Sequence, residues 1–525
     1  MNTLNKNDIN ILDLPDEILL IILQKLNMVD VFYSLVDLNK RFNQLIFDPL
    51  YIHHLDVTDK TSLDHNSPVD NQVFDQIRTK ILPRLHCKVN KITVTSPSME
   101  YIFNTIDYSQ LHSLSLVNFQ QETLLQYLTS DVIFCRILSD QITHLKVKIK
   151  GDIVVKLSNG NEQNLFTLIL FLCKHLTDLT ISQWFRSSLT DSTFNLTLMC
   201  PGSLTLTKMK INVNTFDDCL YILNGYFECL STLIIDIYKI SESTSNIDNT
   251  SKLPKLKYFS LISYFQTYAY DKRIVPLLRR MLNLEELTLL IAIVRIKLPY
   301  IDGTHLYNDF LVEMPRLNKF TFSINTLVYD NGVKIDLPSN DDIQNSFIKI
   351  GYQHLDSYAN VMKTGGSCHV YSLPYQFDSF LHLTNSFRRD NFYTVRWLVM
   401  NDAYSFEHEF FQIISQDFPF LQRLNVINYE PQKNKQHPSR LIIFAQLYDL
   451  TIAFVHIDYI EEFLFETNIR LPRLTILGIK YESLAMVTNN FTNNAARLNC
   501  SQLRHITILE PYVRPENFHS YFPLL

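Results

Sequence analysis

Large apolar residues recur through most of this chain at the first, fourth and sixth places of short segments, in the form L-x-x-L-x-L. Seven segments keep the pattern, with any large apolar residue allowed at those places: LHSLSL from Leu111, LTDLTI from Leu176, LEELTL from Leu284, LNKFTF from Leu317, LQRLNV from Leu421, LYDLTI from Leu447 and LRHITI from Leu503. Looser copies begin at Val89, Ile142, Leu204, Leu230, Leu256, Val395 and Leu474. The alternation closing each segment predicts a half-buried strand, because successive strand side chains point to opposite faces. Many starts fall 26 to 29 residues apart, and others 31 to 34. The 78 residues from Leu317 to Val395 equal three steps of 26, with weaker strands predicted near Phe347 to Ile350 and Cys368 to Leu373. Between strands the period changes, and Asp217 to Gly225, Ile274 to Leu282, Gln376 to Phe387, Phe406 to Ser415 and Tyr459 to Glu466 read as short helices. One strand and one helix per period predict a curved parallel α/β array over 73–510, each unit burying its leucines against its neighbours.

The first fifty or so residues differ. In Ile11 to Val57, Pro15 falls where a helix's first turn loses nothing by lacking an N–H, with Asp13 as the expected cap and Asp16 and Glu17 near the positive end. Ile18, Leu19, Ile22, Leu23 and Leu26 make one apolar face, which Leu20 and Ile21 widen. A helix apolar on more than one side calls for a second partner, either the next domain or another protein. Asp30 and Asn39 are the expected caps of two further short helices, stopped at Asp48-Pro49. Polar stretches separate the pieces: 58–72 reads as a linker, while 241–251, 329–345 and 429–439 read as inserted loops. The tail 511–525, PYVRPENFHSYFPLL, reads as a cap over the last repeat's sheet edge.

Composition narrows the chemistry. Ten glycines in 525 residues include no GxGxxG or phosphate-cradling loop, and the single adjacent pair is Gly365-Gly366. The net charge is −6 with no basic run, which argues against nucleic acid and anionic membranes as partners. No apolar run is long enough to span a bilayer, and the polar start MNTLNKNDIN lacks a secretory core. Eight cysteines stand singly, without a zinc or redox pairing, so a reducing compartment, cytoplasmic or nuclear, is expected. The sequons at Asn195, Asn249, Asn490 and Asn499 are then chance matches. Glu407-His408-Glu409 and His53-His54 have no metal-ligand continuation, and no HExxH, GxSxG or kinase set occurs. No cofactor, metal or catalytic residue is expected; an enzymatic role would require polar side chains converging in a deep pocket.

The N-terminal pattern resembles the F-box. The residues that carry it are Leu14-Pro15-Asp16-Glu17-Ile18, the apolar helix to Leu26, Asp30, and Asp48-Pro49-Leu50-Tyr51. Two departures stand out. Asn39-Lys40-Arg41-Phe42 replaces a Cys-Arg-x-Trp-like stretch, and Tyr51 stands where Trp is frequent. The resemblance implies an all-α three-helix F-box over 11–57 that docks a Skp-type adaptor, and through it a cullin scaffold, with Leu14, Pro15, Ile18, Leu19, Leu35 and Val36 at the interface. The remainder resembles a leucine-rich-repeat solenoid, although the family's ninth-position Asn is matched cleanly only by Asn325. That pairing implies a substrate-recognition subunit of a ubiquitin ligase, binding an unknown protein substrate through the variable strand positions Lys319, Thr321, Trp397, Val399, Arg423, Asn425, Asp449, Thr451, His505 and Thr507. The alternative is a repeat scaffold or inhibitor with no ligase link.

Overall fold

The computed structural model describes residues 11–58, 75–85, 88–103, 108–150, 165–183, 202–225, 227–242, 247–329, 338–362, 365–434, 440–508, 510–515 and 517–525. The linker expected over 58–72 lies, apart from Thr58, outside them. Two compact units emerge: residues 1–238 with 243–260, and residues 239–242 with 261–525.

The first unit opens with helices α1 (Asp16–Lys25), α2 (Met28–Leu35) and α3 (Lys40–Ile46) and a single turn, α4 (Pro49–Ile52). Strands β1 (His54–Asp56), β2 (Lys91–Thr95), β3 (Ser113–Phe119), β4 (His144–Ile149), β5 (Asp178–Gln183), β6 (Lys208–Thr215) and β7 (Thr232–Lys239) follow. They lie side by side in chain order, and the pairs from β1 to β6 are parallel. Leucine, isoleucine and valine at the fourth and sixth motif places point inward, so β4 alternates exposed and buried along its whole length. Helices Gln121–Ser130, Val132–Asp140 and Phe216–Asn224 bury Leu124, Phe134 and Phe216.

One hydrogen-bonding device repeats at most of the parallel strand entrances among the described residues. The amides of the second and third motif residues both donate to the carbonyl oxygen of the second residue of the preceding motif. Thus His112 and Ser113 donate to Asn90, Thr143 and His144 to His112, Thr177 and Asp178 to Thr143, and Thr207 and Lys208 to Thr177, over 2.8–3.1 Å. A carbonyl oxygen carries two lone pairs, so it can take both. The second unit repeats the device, with Gln422 and Arg423 donating to Arg396, Tyr448 and Asp449 to Gln422, and Arg504 and His505 to Thr475.

The second unit holds two larger sheets and a two-stranded ribbon. Most of β8 (Tyr258–Thr267) lies in it, beside β9 (Glu286–Ile296), β10 (Lys319–Tyr329), β11 (Leu355–Met362) and β12 (Gly365–Ser372), in the order β8-β9-β10-β12-β11. The second sheet is wholly parallel: β13 (Ser379–Leu383), β14 (Trp397–Asn401), β15 (Arg423–Asn428), β17 (Asp449–Val455), β19 (Ile476–Ile479) and β20 (His505–Ile508). The ribbon pairs β16 (Ile442–Ile443) with β18 (Ile469–Arg470). An aromatic core gathers Tyr371, Tyr375, Phe380, Phe387, Phe392 and Phe418, the last two stacked at 4.9 Å. In the tail, Phe518, Tyr521 and Phe522 are buried against Phe491.

Several expectations change. The unbroken parallel array is interrupted, because β12 runs antiparallel to both β10 and β11. Its approach depends on Gly365: a Cβ there would meet the Val328 carbonyl oxygen at 2.0 Å. The repeat type is not identified, and what stands is a helical N-terminal module followed by largely parallel sheets. Gln376 to Phe387 is not a helix, since Ser379–Leu383 is strand β13 paired with β14. Phe347 to Ile350 is not a strand; the capped helix Asn340–Ile348 takes its first half and a turn the rest. The repeat placed at Leu204 begins at Leu206. Two leucines two places apart give the same alternation, and Leu206 is buried while Leu204 is exposed. Asn325 makes no ladder: it is buried and its side-chain amide finds no partner among the described residues. Asn499 does that work instead, donating to the carbonyls of Phe463, Leu464 and Ile469 and accepting from the Leu471 amide, which leaves no room for a glycan.

The antiparallel hairpin carries a buried histidine. Ring nitrogens of His369 meet Ser323 Oγ at 2.9 Å and Tyr358 Oη at 3.0 Å, and burial pushes its pKa down to about 3. An unfolded histidine takes a proton near pH 6.5, which the folded one resists. The second unit should therefore lose stability as pH falls from about 6.5 toward about 3. Chemical unfolding at stepped pH should show that slope, and His369→Gln should flatten it by about one proton.

Candidate docking surfaces

The helical module hides less than its composition allows. On α1, Leu19 and Leu23 are buried, while Ile18 (43% exposed) and Ile21 (54%) face outward with Pro15; Leu14 and Ile22 are half-buried. These positions fall at helical spacing, giving one stripe inward and one outward. Leu26, Tyr33, Leu38 and Leu50 add exposed apolar surface. Of the expected interface residues, Pro15 and Ile18 lie on the surface, and Leu14, Leu35 and Val36 are partly covered. Leu19 is 1% exposed, committed to the module's own core, and offers no surface to a partner. Ile21 was missed as an interface candidate, although its signal, an apolar residue outside the main face, was present in the sequence.

Local polar contacts fix this shape. The expected cap Asp13 lies in a preceding turn, and the α1 start is held by Arg41 from α3 instead. The Arg41 guanidinium donates to the Leu12 carbonyl, to the Leu14 carbonyl at 2.6 Å, and to Asp16 Oδ1 at 2.6 and 2.8 Å. Asn27, not Asp30, caps α2 by accepting from the Val29 amide; Asn39 caps α3 and Asp48 caps α4. The atypical aromatics Phe42 and Tyr51 are both buried, so they fill the bundle rather than face a partner. Burial pushes the Tyr51 hydroxyl up to about 12.

The module is joined to the sheet by main-chain bonds. The amides of Asn90 and Lys91 both donate to the His53 carbonyl, which is the strand-entrance device with the module's last turn as acceptor. Strand β1 then pairs with β2, and His54 meets Thr93 Oγ1 at 2.8 Å. Arg84 adds a tie, lying 3.2 Å from Asp37 and 5.3 Å from the Phe47 ring centroid; it holds the Asp37 carboxyl below the ordinary carboxylate range.

The variable strand positions form straight rows, because parallel pairing keeps one register. In the second unit Trp397, Arg423, Asp449, Ile476 and His505 are successive partners, as are Val399, Asn425, Thr451, Gly478 and Thr507. The Trp397 ring lies 5.0 Å from that of Tyr264 and 4.9 Å from the Arg423 guanidinium, which meets Asp449 at 3.3 Å. Eight of the ten expected substrate-face residues thus share one sheet. Lys319 and Thr321 stand apart on β10, where Lys319 pairs with Glu286 at 3.3 Å. Thr321 and Val399 are buried and present no usable face.

Among the described residues no group of three or more His, Cys, Asp or Glu could hold a metal, and no helix is long and apolar enough to cross a membrane. A cavity of about 510 Å³ is lined by Thr123, Gln126, Tyr127, Ser130, Asp131, Val132 and Ile133, without convergent catalytic groups.

Comparison with known families agrees with the helical module. Residues 11–53 match the F-box domain model, and these residues are an F-box domain. No curated protein matches the chain. An F-box implies a Skp-type adaptor as partner and, through it, a cullin complex.

Arg41→Ala should free the Leu14-Pro15 opening. Amide exchange of the first α1 turn is expected to rise about tenfold while the Leu23 amide is unchanged, read by hydrogen exchange.

Proposed function

We propose that this chain is the substrate-recruiting subunit of a Skp–cullin–F-box ubiquitin ligase. The observation that carries the reading is the outward apolar stripe of α1 in a domain of this family: Pro15, Ile18 and Ile21 stay exposed although the module's core is small. Leu14, Leu35 and Val36, each partly covered, complete the adaptor contact, while Leu19 supports it from inside. Catalysis belongs to other subunits, and this chain supplies proximity, which raises the substrate's effective concentration at the ubiquitin-charged enzyme.

The strand-and-helix units are then diverged leucine-rich repeats that present the cargo surface. Trp397, Arg423, Asn425, Asp449, Thr451, His505 and Thr507 form its second-unit part. An aromatic flanked by an arginine is the composition that concentrates binding energy at interfaces. Lys319 serves separately, from β10.

A pull-down tests the reading. The full chain should capture a Skp-type adaptor, and Pro15→Ala with Ile18→Asp should reduce capture at least about tenfold, since burying an unpaired carboxylate costs more than 1.4 kcal/mol. Trp397→Ala should leave capture unchanged. If the wild-type chain captures no adaptor, or the paired change on α1 has no effect, the chain is a binding scaffold outside the ligase.

A further inference from the structure

The same register that lines up Trp397 and Arg423 lines up lysines in the first unit. One row across β2 to β6 reads Lys91, Ser113, His144, Asp178, Lys208; the next reads Thr93, Ser115, Lys146, Thr180, Lys210. Lys148 follows two places beyond Lys146. Lys146, Lys148, Lys208 and Lys210 are exposed, and Lys91 is half-exposed. Lys208 is neutralised by Asp178 at 3.0 Å. Lys91, Lys146, Lys148 and Lys210 have no carboxylate partner among the described residues. Partial burial and the neighbouring charges of Lys148, Lys91 and Lys210 lower the Lys146 pKa. Four unneutralised cations thus share one sheet face in a chain whose net charge is −6.

We propose that this outward face of β2 to β6 binds an acidic, aspartate- and glutamate-rich segment of a protein partner. Like charges held together cost free energy that an anionic ligand recovers. Lys146 and Lys210 stand two strands apart, about 10 Å. That is the reach of about three residues of extended chain, so carboxylates three places apart meet successive lysines. Threonines and serines between them supply hydroxyls for the same carboxylates. Nucleic acid fits less well: the described residues of this face include no Phe, Tyr or Trp on which a base could stack, and no arginine to grip a phosphate in two places. Calling the bound segment part of a ligase substrate rests on the reading above, but the binding itself does not.

Fluorescence anisotropy on the full chain tests this, with labelled oligoglutamate, oligoglutamine and single-stranded oligodeoxythymidine as probes. Oligoglutamate should bind best and weaken steeply as salt rises from about 0.05 to about 0.5 M. The combined change Lys146→Gln, Lys148→Gln and Lys210→Gln should weaken it about tenfold. The exposed trio Lys255→Gln, Lys349→Gln and Lys433→Gln should not. Lys146→Glu alone is a milder second variant, and unchanged thermal melting shows that either is folded. The proposal is overturned if oligoglutamate binds no better than oligoglutamine, if the patch variants bind it normally, if the control trio weakens it equally, or if the oligonucleotide binds more tightly. Adaptor capture by the patch variant is read in parallel: its absence there and in the wild type would remove the ligase reading and leave the peptide result standing.

Discussion

Two amides converging on one carbonyl at most parallel strand entrances are the constraint on which the rest depends. The device fixes where each of these strands starts relative to the one before it. A one-residue slip would turn each strand's leucines outward. With the start fixed, the third and fifth motif places fall into rows whatever residues occupy them. The lysines of the first unit and the tryptophan, arginine and aspartate of the second acquire their neighbours in this way, from main-chain geometry rather than from contacts of their own. Variation at these places is therefore inexpensive for folding, and a repeated scaffold can carry unrelated surfaces along its length.

The antiparallel intrusion is set by other means. Strands β9 and β10 run eleven residues each, longer than any strand of the first unit, and are buried on both faces over most of that length. Thr321 therefore sits inside although its motif place is an outward one. The buried polar groups that result are handled locally: His369 is held neutral between Ser323 and Tyr358, and Tyr375 donates to the Ser379 carbonyl at 2.6 Å.

Much of this was legible in the sequence, because the L-x-x-L-x-L register is set by burial alone. Thirteen of the fourteen segments begin two residues before an observed strand, and the fourteenth, at Leu204, is displaced by two places that alternation cannot distinguish. The F-box itself was legible too, since the Leu-Pro opening and the three short apolar runs that carried the resemblance fall within residues 11–53, which match the family. What stayed hidden was non-local. The antiparallel β12 depends on Gly365 clearing a carbonyl from another strand. Strand β13 is short, and its place in the sheet is set by pairing with β14 rather than by its own residues. The holding of α1 by Arg41, twenty-five residues from Asp16, and the burial of Leu19 rather than Ile21 are decided by packing within the bundle. The lysine patch was invisible for a simpler reason: its members are scattered over more than a hundred residues, and the absence of a basic run in sequence says nothing about adjacency across a sheet.

The bond from Asn90 and Lys91 to His53 has a mechanical meaning. It makes the F-box the first layer of the sheet rather than a bead beside it. A docking domain on a slack tether lets its cargo explore a sphere, and the chance of contact is diluted through that volume. Here β1 lies one strand from Lys91 and three from Lys146, a lever arm of about 14 Å built of paired strands. On the proposed reading, a partner held on that face would swing with the docked adaptor, and the choice of which of its lysines receives ubiquitin would be a matter of aim, not of search.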